Sequence, residues 1–349
     1  MNKIENTINE VFKKNWNSNF LKDINSNLSI KYEDLFFFTY IIHKEFKKLR
    51  IEQGDRIIVL SKNNYFITIF FFYALFYNFT IIPLDPKEKK NTIQNISKKV
   101  KAKIFIVDQV SNSFIKSLDK KFIKFFISIR GDILIKKNNI LKKIINLNDI
   151  FLEKKKVEFQ KIKINLSNPF LIVFSSGTTG DPKGIVHTSK SILTSAITFN
   201  NHNNLKKDTV MAHLFSMSYM AGILNTLISP FVVGGKIVLF EQFNSLTALN
   251  FWERIKNNSV NTIWLSPTML SMLLSIDRYK YTRKYCQEKI KAIFVGTAPL
   301  SEELKIQAQN KLTEKIFESY GLSELLFISS QNKKNYKNFS SGKTLNNVK

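Results

Sequence analysis

A chain of 349 residues, 44% hydrophobic and 23% charged, has enough apolar material for a large core and is excluded from the disordered and fibrous classes. The formal net charge is +26, yet only six of the 53 basic residues are arginine, the residue suited to bidentate phosphate and base contacts. The lysines lie scattered among Ile, Asn and Phe, so a solvated basic surface is expected and nucleic acid is excluded as a partner. A single cysteine, Cys286, excludes an internal disulfide, and the N-terminus lacks the apolar segment of a signal peptide, so a cytoplasmic protein is expected.

In chain order, a strand is predicted over Arg56–Leu60. The apolar stretch 65–84 has the length of a membrane span, but Asn78 and Thr80 interrupt it and Pro83 lies near its end. A helix capped by Asn63 or Asn64 and stopping near Asn78, then a strand over Phe79–Leu84, accounts for it without stable membrane insertion. A strand follows at Lys103–Val107. Between about Ile133 and Asn165 the chain turns Lys- and Asn-rich with weak periodicity, so a boundary is placed there, giving subdomains 1–165 and 166–349. Beyond it, strands are predicted at Phe170–Phe174, Lys236–Phe240, Thr262–Leu265, Ala292–Val295 and Lys315–Glu318. Helices are predicted at Thr188–Asn200, Ser245–Lys256, Pro267–Ile276 and Ser301–Leu312. This alternation implies α/β layers on largely parallel sheets.

Directly after the apolar strand Phe170–Phe174 comes SSGTTGDPKG, residues 175–184. Gly177, Gly180 and Gly184 remove side-chain obstacles, so backbone N–H groups can approach an anion. Ser175, Ser176, Thr178 and Thr179 add hydroxyl donors, Lys183 adds a mobile positive charge, and Pro182 stiffens the turn before it. The string departs from the common phosphate loop, which, counted from Gly177, would need Gly at 182 and Ser or Thr at 184; the chain has Pro182 and Gly184. A phosphate cradle of another kind is expected.

FSSGTTGDPKGIVHT resembles the signature of the adenylate-forming (AMP-binding) enzymes, a superfamily that includes acyl-CoA synthetases, luciferases and the adenylation domains of peptide synthetases. Ser319-Tyr-Gly-Leu-Ser-Glu324 resembles the family's YGxTE motif, with Ser323 in place of Thr. Gly296-Thr-Ala-Pro299 resembles its adenine-side turn. Lys31–Leu35, Gly54–Arg56 and Ile82–Pro86 resemble weaker landmarks, and all of them come in the family's order. The resemblance implies the layered αβαβα-type large domain, with two mostly parallel sheets flanked by helices.

It also implies an acyl-CoA synthetase-like acid–thiol ligase, acting on a fatty acid-like acyl group. In that chemistry a carboxylate attacks the α-phosphorus of ATP, pyrophosphate leaves, and the acyl-adenylate passes to CoA. By resemblance, the loop Ser175, Ser176, Gly177, Thr178, Thr179 and Gly180 with Lys183 would hold the β- and γ-phosphates. Glu324 would hold Mg²⁺, a hard ion that prefers oxygen ligands. Ser323 would meet the α-phosphate. Tyr320 would stack on adenine beside Gly296, Thr297, Ala298 and Pro299, with Ser319 and Gly321 completing the ATP site.

The segment Met211–Gly222 aligns with the family's acyl-pocket segment. Ser216 stands where amino-acid-activating members place an aspartate, which points to an uncharged acyl chain. Met217, Tyr219, Met220 and Gly222 are the other candidate pocket residues, and Trp264 and Pro267 match a helix start near the substrate region. His187 and His213 are expected to be structural. The family's ribose-binding Asp and the Lys of its mobile domain have no counterpart here. The expectation is therefore the large N-terminal domain alone, without the β-rich third subdomain or the C-terminal domain: a fragment, a truncated gene product, or half of a split enzyme whose C-terminal domain is a separate chain. Two alternatives remain open: transfer of the acyl group to a carrier protein, and a nucleotide-binding remnant without catalysis.

Overall fold

The computed structural model describes residues 3–108, 123–128, 130–137, 140–152, 157–175, 182–276, 281–338, 340–346 and 348. Contacts divide the chain into two compact units, Met1–Asn9 with Tyr32–Ser191 and Glu10–Lys31 with Ile192–Lys349. The division falls after Ser191 rather than after residue 165, and strand pairing explains why. Strands β1 (Asn19–Asp23) and β2 (Leu28–Lys31) form an antiparallel pair, and β1 runs parallel to Lys236–Leu239, with Leu21 opposite Ile237. That carries the early segment into the second unit.

In the first unit, β3 (Arg56–Leu60), β4 (Thr80–Leu84) and β5 (Ile104–Val107) are parallel neighbours, with Ile57 opposite both Ile81 and Ile104. Next come β6 (Phe125–Ser128), β7 (Asp132–Lys137) and β8 (Ile140–Asn146), the last two antiparallel to their predecessors. Strand β9 (Pro169–Ser175) lies parallel to β4 through Ile81 and Leu171, and β10 (Lys183–Thr188) folds back antiparallel on β9. This pairing holds residues 169–175 and 183–188 in the first unit.

The membrane-like stretch is a core element. Helix Tyr65–Phe76 is buried from Phe66 to Phe76, and the Asn64 side chain caps it by accepting from the N–H of Ile67. A helix apolar on every face is stable only when covered on every face. The chain then turns at Asn78 in the left-handed region (φ 62°) and enters β4. No described helix is long and apolar enough to cross a membrane.

In the second unit, β11 (Val210–His213), β12 (Lys236–Leu239), β13 (Thr262–Leu265), β14 (Ala292–Val295) and β15 (Ile316–Leu322) make a parallel sheet. Strands β16 (Leu326–Ser330) and β17 (Lys343–Thr344) extend it as an antiparallel meander beyond β15. Helices Pro267–Ser275 and Glu302–Lys311 are capped by Ser266 and Ser301. Leu270, Leu273 and Leu274 from the first and Ala308 from the second pack on Ile263, Ile293 and Ile316 of the sheet. The helix predicted over Ser245–Lys256 is instead two, Ser245–Leu249 and Phe251–Asn257, because Asn250 leaves helical geometry (φ −109°, ψ 14°) and ends the first. Two parallel-strand layers flanked by helices match the architecture expected from the sequence.

Candidate nucleotide and acyl site

In open α/β sheets, ligand sites form beyond the carboxyl ends of the strands. At that edge of the second unit lies a cavity of about 60 Å³. Its walls come from several elements: Trp264 from β13, Thr297 after β14, Ser319 and Gly321 from β15, and Phe327 from β16. Trp264 stacks on Phe294 (centroids 5.0 Å, 28°) and on Phe327 (5.7 Å, 25°), and Phe199 stacks on Phe327 at 4.1 Å. These rings fix the floor.

The residues expected to meet adenine sit where β14 and β15 end. A Cβ on Gly296 would lie 2.6 Å from the carbonyl oxygen of Ser319, so only glycine lets the two strand ends come this close. Thr297 follows with φ 72°, costly for a β-branched residue and the kind of strain that gathers at binding sites. Thr297, Ala298 and Pro299 are exposed. Tyr320 is 46% exposed and presents its ring to solvent, whereas Ser319 is buried and its hydroxyl donates to the carbonyl of Ser329 at 2.9 Å. Ser323 lines the cavity, and Glu324 is exposed in the turn between β15 and β16, without a salt bridge among the described residues. An open carboxylate on a turn suits a hard cation that also takes phosphate oxygens. No group of three or more His, Cys, Asp or Glu residues gathers as a metal cluster among the described residues.

The acyl-pocket segment begins with β11 and continues into Ala221–Ile228, a π-helix. Such segments are uncommon and concentrate at functional sites. Tyr219 and Met220 line the cavity, and from the π-helix so do Leu224 and Asn225, which sequence reasoning did not single out. Ser216, Met217 and Gly222 are not among its lining residues. The Ser216 hydroxyl is bonded to that of Ser218 (2.7 Å), Met217 is buried, and Gly222 packs under the Ser216 carbonyl. The signal for Asn225 was a lone amide inside the apolar run ILNTLI.

His213 anchors this region. Its Nδ1 lies 2.7 Å from Thr226 Oγ1, a hydroxyl that also lies within hydrogen-bonding distance (3.1 Å) of the carbonyl of Gly222. Complete burial pushes the imidazole down to about 4 from its usual 6.5. The folded protein therefore holds His213 neutral where the unfolded chain would protonate it. Stability from this residue is intact above pH 6.5 and is lost as pH falls from 6.5 toward 4, at about 1.4 kcal/mol per pH unit. In urea denaturation across that window, His213→Gln should reduce the slope of stability against pH by about this amount relative to the parent chain.

In the first unit, β9 and β10 bring the two ends of the expected phosphate loop together, with Ser175 paired to Lys183 and Phe174 to Gly184. Lys183 is exposed, with no salt bridge or side-chain hydrogen bond among the described residues. His187 is buried. The loop residues Ser176, Gly177, Thr178, Thr179 and Gly180 lie outside the described residues.

The model of the family described as "AMP-binding enzyme" matches residues 44–349. The chain belongs to that family. Among curated relatives, it is 26% identical to the human mitochondrial malonate–CoA ligase ACSF3 over 166 residues, 44% of this chain and 28% of that protein. It is 23% identical to 4-coumarate–CoA ligase 1 of Arabidopsis thaliana over 298 residues, 84% of this chain and 52% of that one. Among solved structures, ATP-bound MatB from Rhodopseudomonas palustris superposes with a TM-score of 0.80 at 16% identity, covering 98% of this chain and 64% of that chain. At such identity the likeness speaks for the fold. The chain thus spans from under a third to about two thirds of the length of these proteins.

Proposed function

We propose that this chain binds ATP and activates a carboxylic acid as its acyl-adenylate, the first half-reaction of an acyl-CoA ligase. The observation that carries this reading is the cavity of the second unit. Thr297, Ser319, Gly321 and Ser323, from the two nucleotide motifs, share its wall with the apolar Tyr219, Met220 and Leu224. A site that joins an acid to AMP has to hold both parts in one place, with the reacting oxygen near phosphorus.

In this reading the carboxylate oxygen attacks the α-phosphorus, the bond from that phosphorus to the bridging oxygen breaks, and pyrophosphate leaves with its electrons. The exposed Lys183 ammonium would offset charge on the leaving phosphates, Ser323 would donate to the α-phosphate, and Tyr320 would stack on adenine. Glu324 would hold Mg²⁺, which when bound neutralises triphosphate charge. The protein's share is positioning and charge compensation rather than proton transfer. CoA is proposed as the acceptor, since the curated relatives above are named as CoA ligases; the two acids in those names, malonate and 4-coumarate, belong in the panel below as comparators.

Two measurements test the proposal. ATP–pyrophosphate exchange with a panel of carboxylates should show acid-dependent exchange; ATP binding without exchange for any acid would refute adenylation. By calorimetry, Lys183→Ala and Glu324→Ala should each weaken binding of ATP with Mg²⁺ by about tenfold, the scale of one charge-assisted contact. Unchanged binding in both would refute the site assignment.

A further inference from the structure

Beyond the acyl-adenylate reading, on which this inference rests, the cavity carries information about the acid itself. We propose that it selects a carboxylic acid whose tail is uncharged and bears a hydrogen-bonding group, and that the Asn225 carboxamide recognises that group.

Charge is the first ground. No Lys, Arg, His, Asp or Glu is found among the described lining residues. A second carboxylate or an ammonium in the tail would give up its water there and meet no counter-charge.

The second ground is a deeply placed polar side chain with nothing described to bond. Asn225 is 7% exposed, lines the cavity, and its side chain makes no hydrogen bond to any described residue. Polar groups so deeply placed are nearly always hydrogen-bonded, so this one, facing the cavity, points to a ligand that completes it. A carboxamide both donates and accepts, so a neutral hydroxyl or amide satisfies it and a methyl group does not.

The test uses stable acyl-adenylate mimics, the N-acylsulfamoyl adenosines, with AMP alone as reference, titrated calorimetrically into the whole chain. Two isosteric pairs separate the two claims. The malonamate-derived mimic should bind about 100-fold more tightly than the malonate-derived one, which isolates charge. The 3-hydroxypropanoate mimic should bind at least about tenfold more tightly than the butanoate mimic, which isolates the hydrogen bond. Asn225→Leu should abolish or reverse the second preference and leave AMP affinity within about twofold. Equal or tighter binding of the malonate mimic overturns the charge claim, and that arm needs no substitution. A hydroxyl preference that survives Asn225→Leu overturns the role of Asn225. AMP binding with flat preference across all tails sinks this inference alone, whereas failure to bind AMP and every mimic sinks the adenylate reading beneath it.

Discussion

Replacing Lys305 by methionine is expected to remove about 3 kcal/mol of unfolding free energy, read from urea denaturation at neutral pH. Lys305 rises from helix Glu302–Lys311, and its side chain is only 6% exposed. Its ammonium lies 2.7 Å from Glu318 Oε1, donates to Gln331 Oε1 at 3.1 Å, and sits over the Tyr336 ring at 4.5 Å. Gln331, fully buried, accepts from the Glu318 N–H through the same oxygen and donates to the carbonyls of Lys337 (2.5 Å) and Ser340 (2.6 Å). One ammonium thus ties a helix, β15, the residue after β16 and the approach to β17 into a single polar node.

Methionine keeps the stem of Lys305 and removes the charge, leaving the Glu318 carboxylate without its cation in a mostly buried place. Loss of one partner costs more than loss of both, because the survivor is stranded. The double variant Lys305→Met with Glu318→Gln should therefore recover about half of the deficit. If the double variant is as unstable as the sum of its singles, the node is not coupled. Because Glu318 immediately precedes Ser319 and Tyr320, the single variant should also weaken AMP binding, and the double should restore part of it.

Much of this fold could be read in the chain. RIIVL, TIIPL, IFIV, TIWL and AIFV are β-branched runs bounded by turn residues, and each is a parallel strand covered on both faces. What stayed hidden depends on partners far away in sequence. Nothing local in NFLKD says that Leu21 lies opposite Ile237, so residues 10–31 could not be assigned to the second unit. Strand β10 was read as part of a loop and helix start, because only its register with β9 makes KGIVHT a strand. The two motifs assigned to nucleotide binding stood out in the chain because glycine and hydroxyl residues at fixed spacing have few other uses. Asn225 was not, since a single amide in an apolar helix acquires meaning only when the cavity it faces is known.

The second large effect is expected from Gly222→Ala, at about 3 kcal/mol, the upper range for overpacking a tight contact. A Cβ at this position would lie 2.1 Å from the Ser216 carbonyl oxygen and 2.7 Å from its carbon, both backbone atoms that cannot swing aside like a side chain. Relief requires the turn from Ser216 to Gly222 to open. That turn is closed by hydrogen bonds from the N–H of Tyr219 to Ser216 (3.1 Å) and from the N–H groups of Gly222 and Ile223 to Tyr219 (2.9 and 3.2 Å). It also sets Tyr219 and Met220 against the cavity and leads into the π-helix that carries Asn225. The added methyl should then strike twice, in the urea midpoint and in the affinity for acylsulfamoyl adenosines. AMP itself should bind almost as before, because the Gly296 turn and Tyr320 stand on other strands. A variant with unchanged stability would show that the turn yields freely. A variant destabilised but with every acyl tail still bound as tightly relative to AMP would show that Ser216–Gly222 packs the unit without shaping the acid pocket.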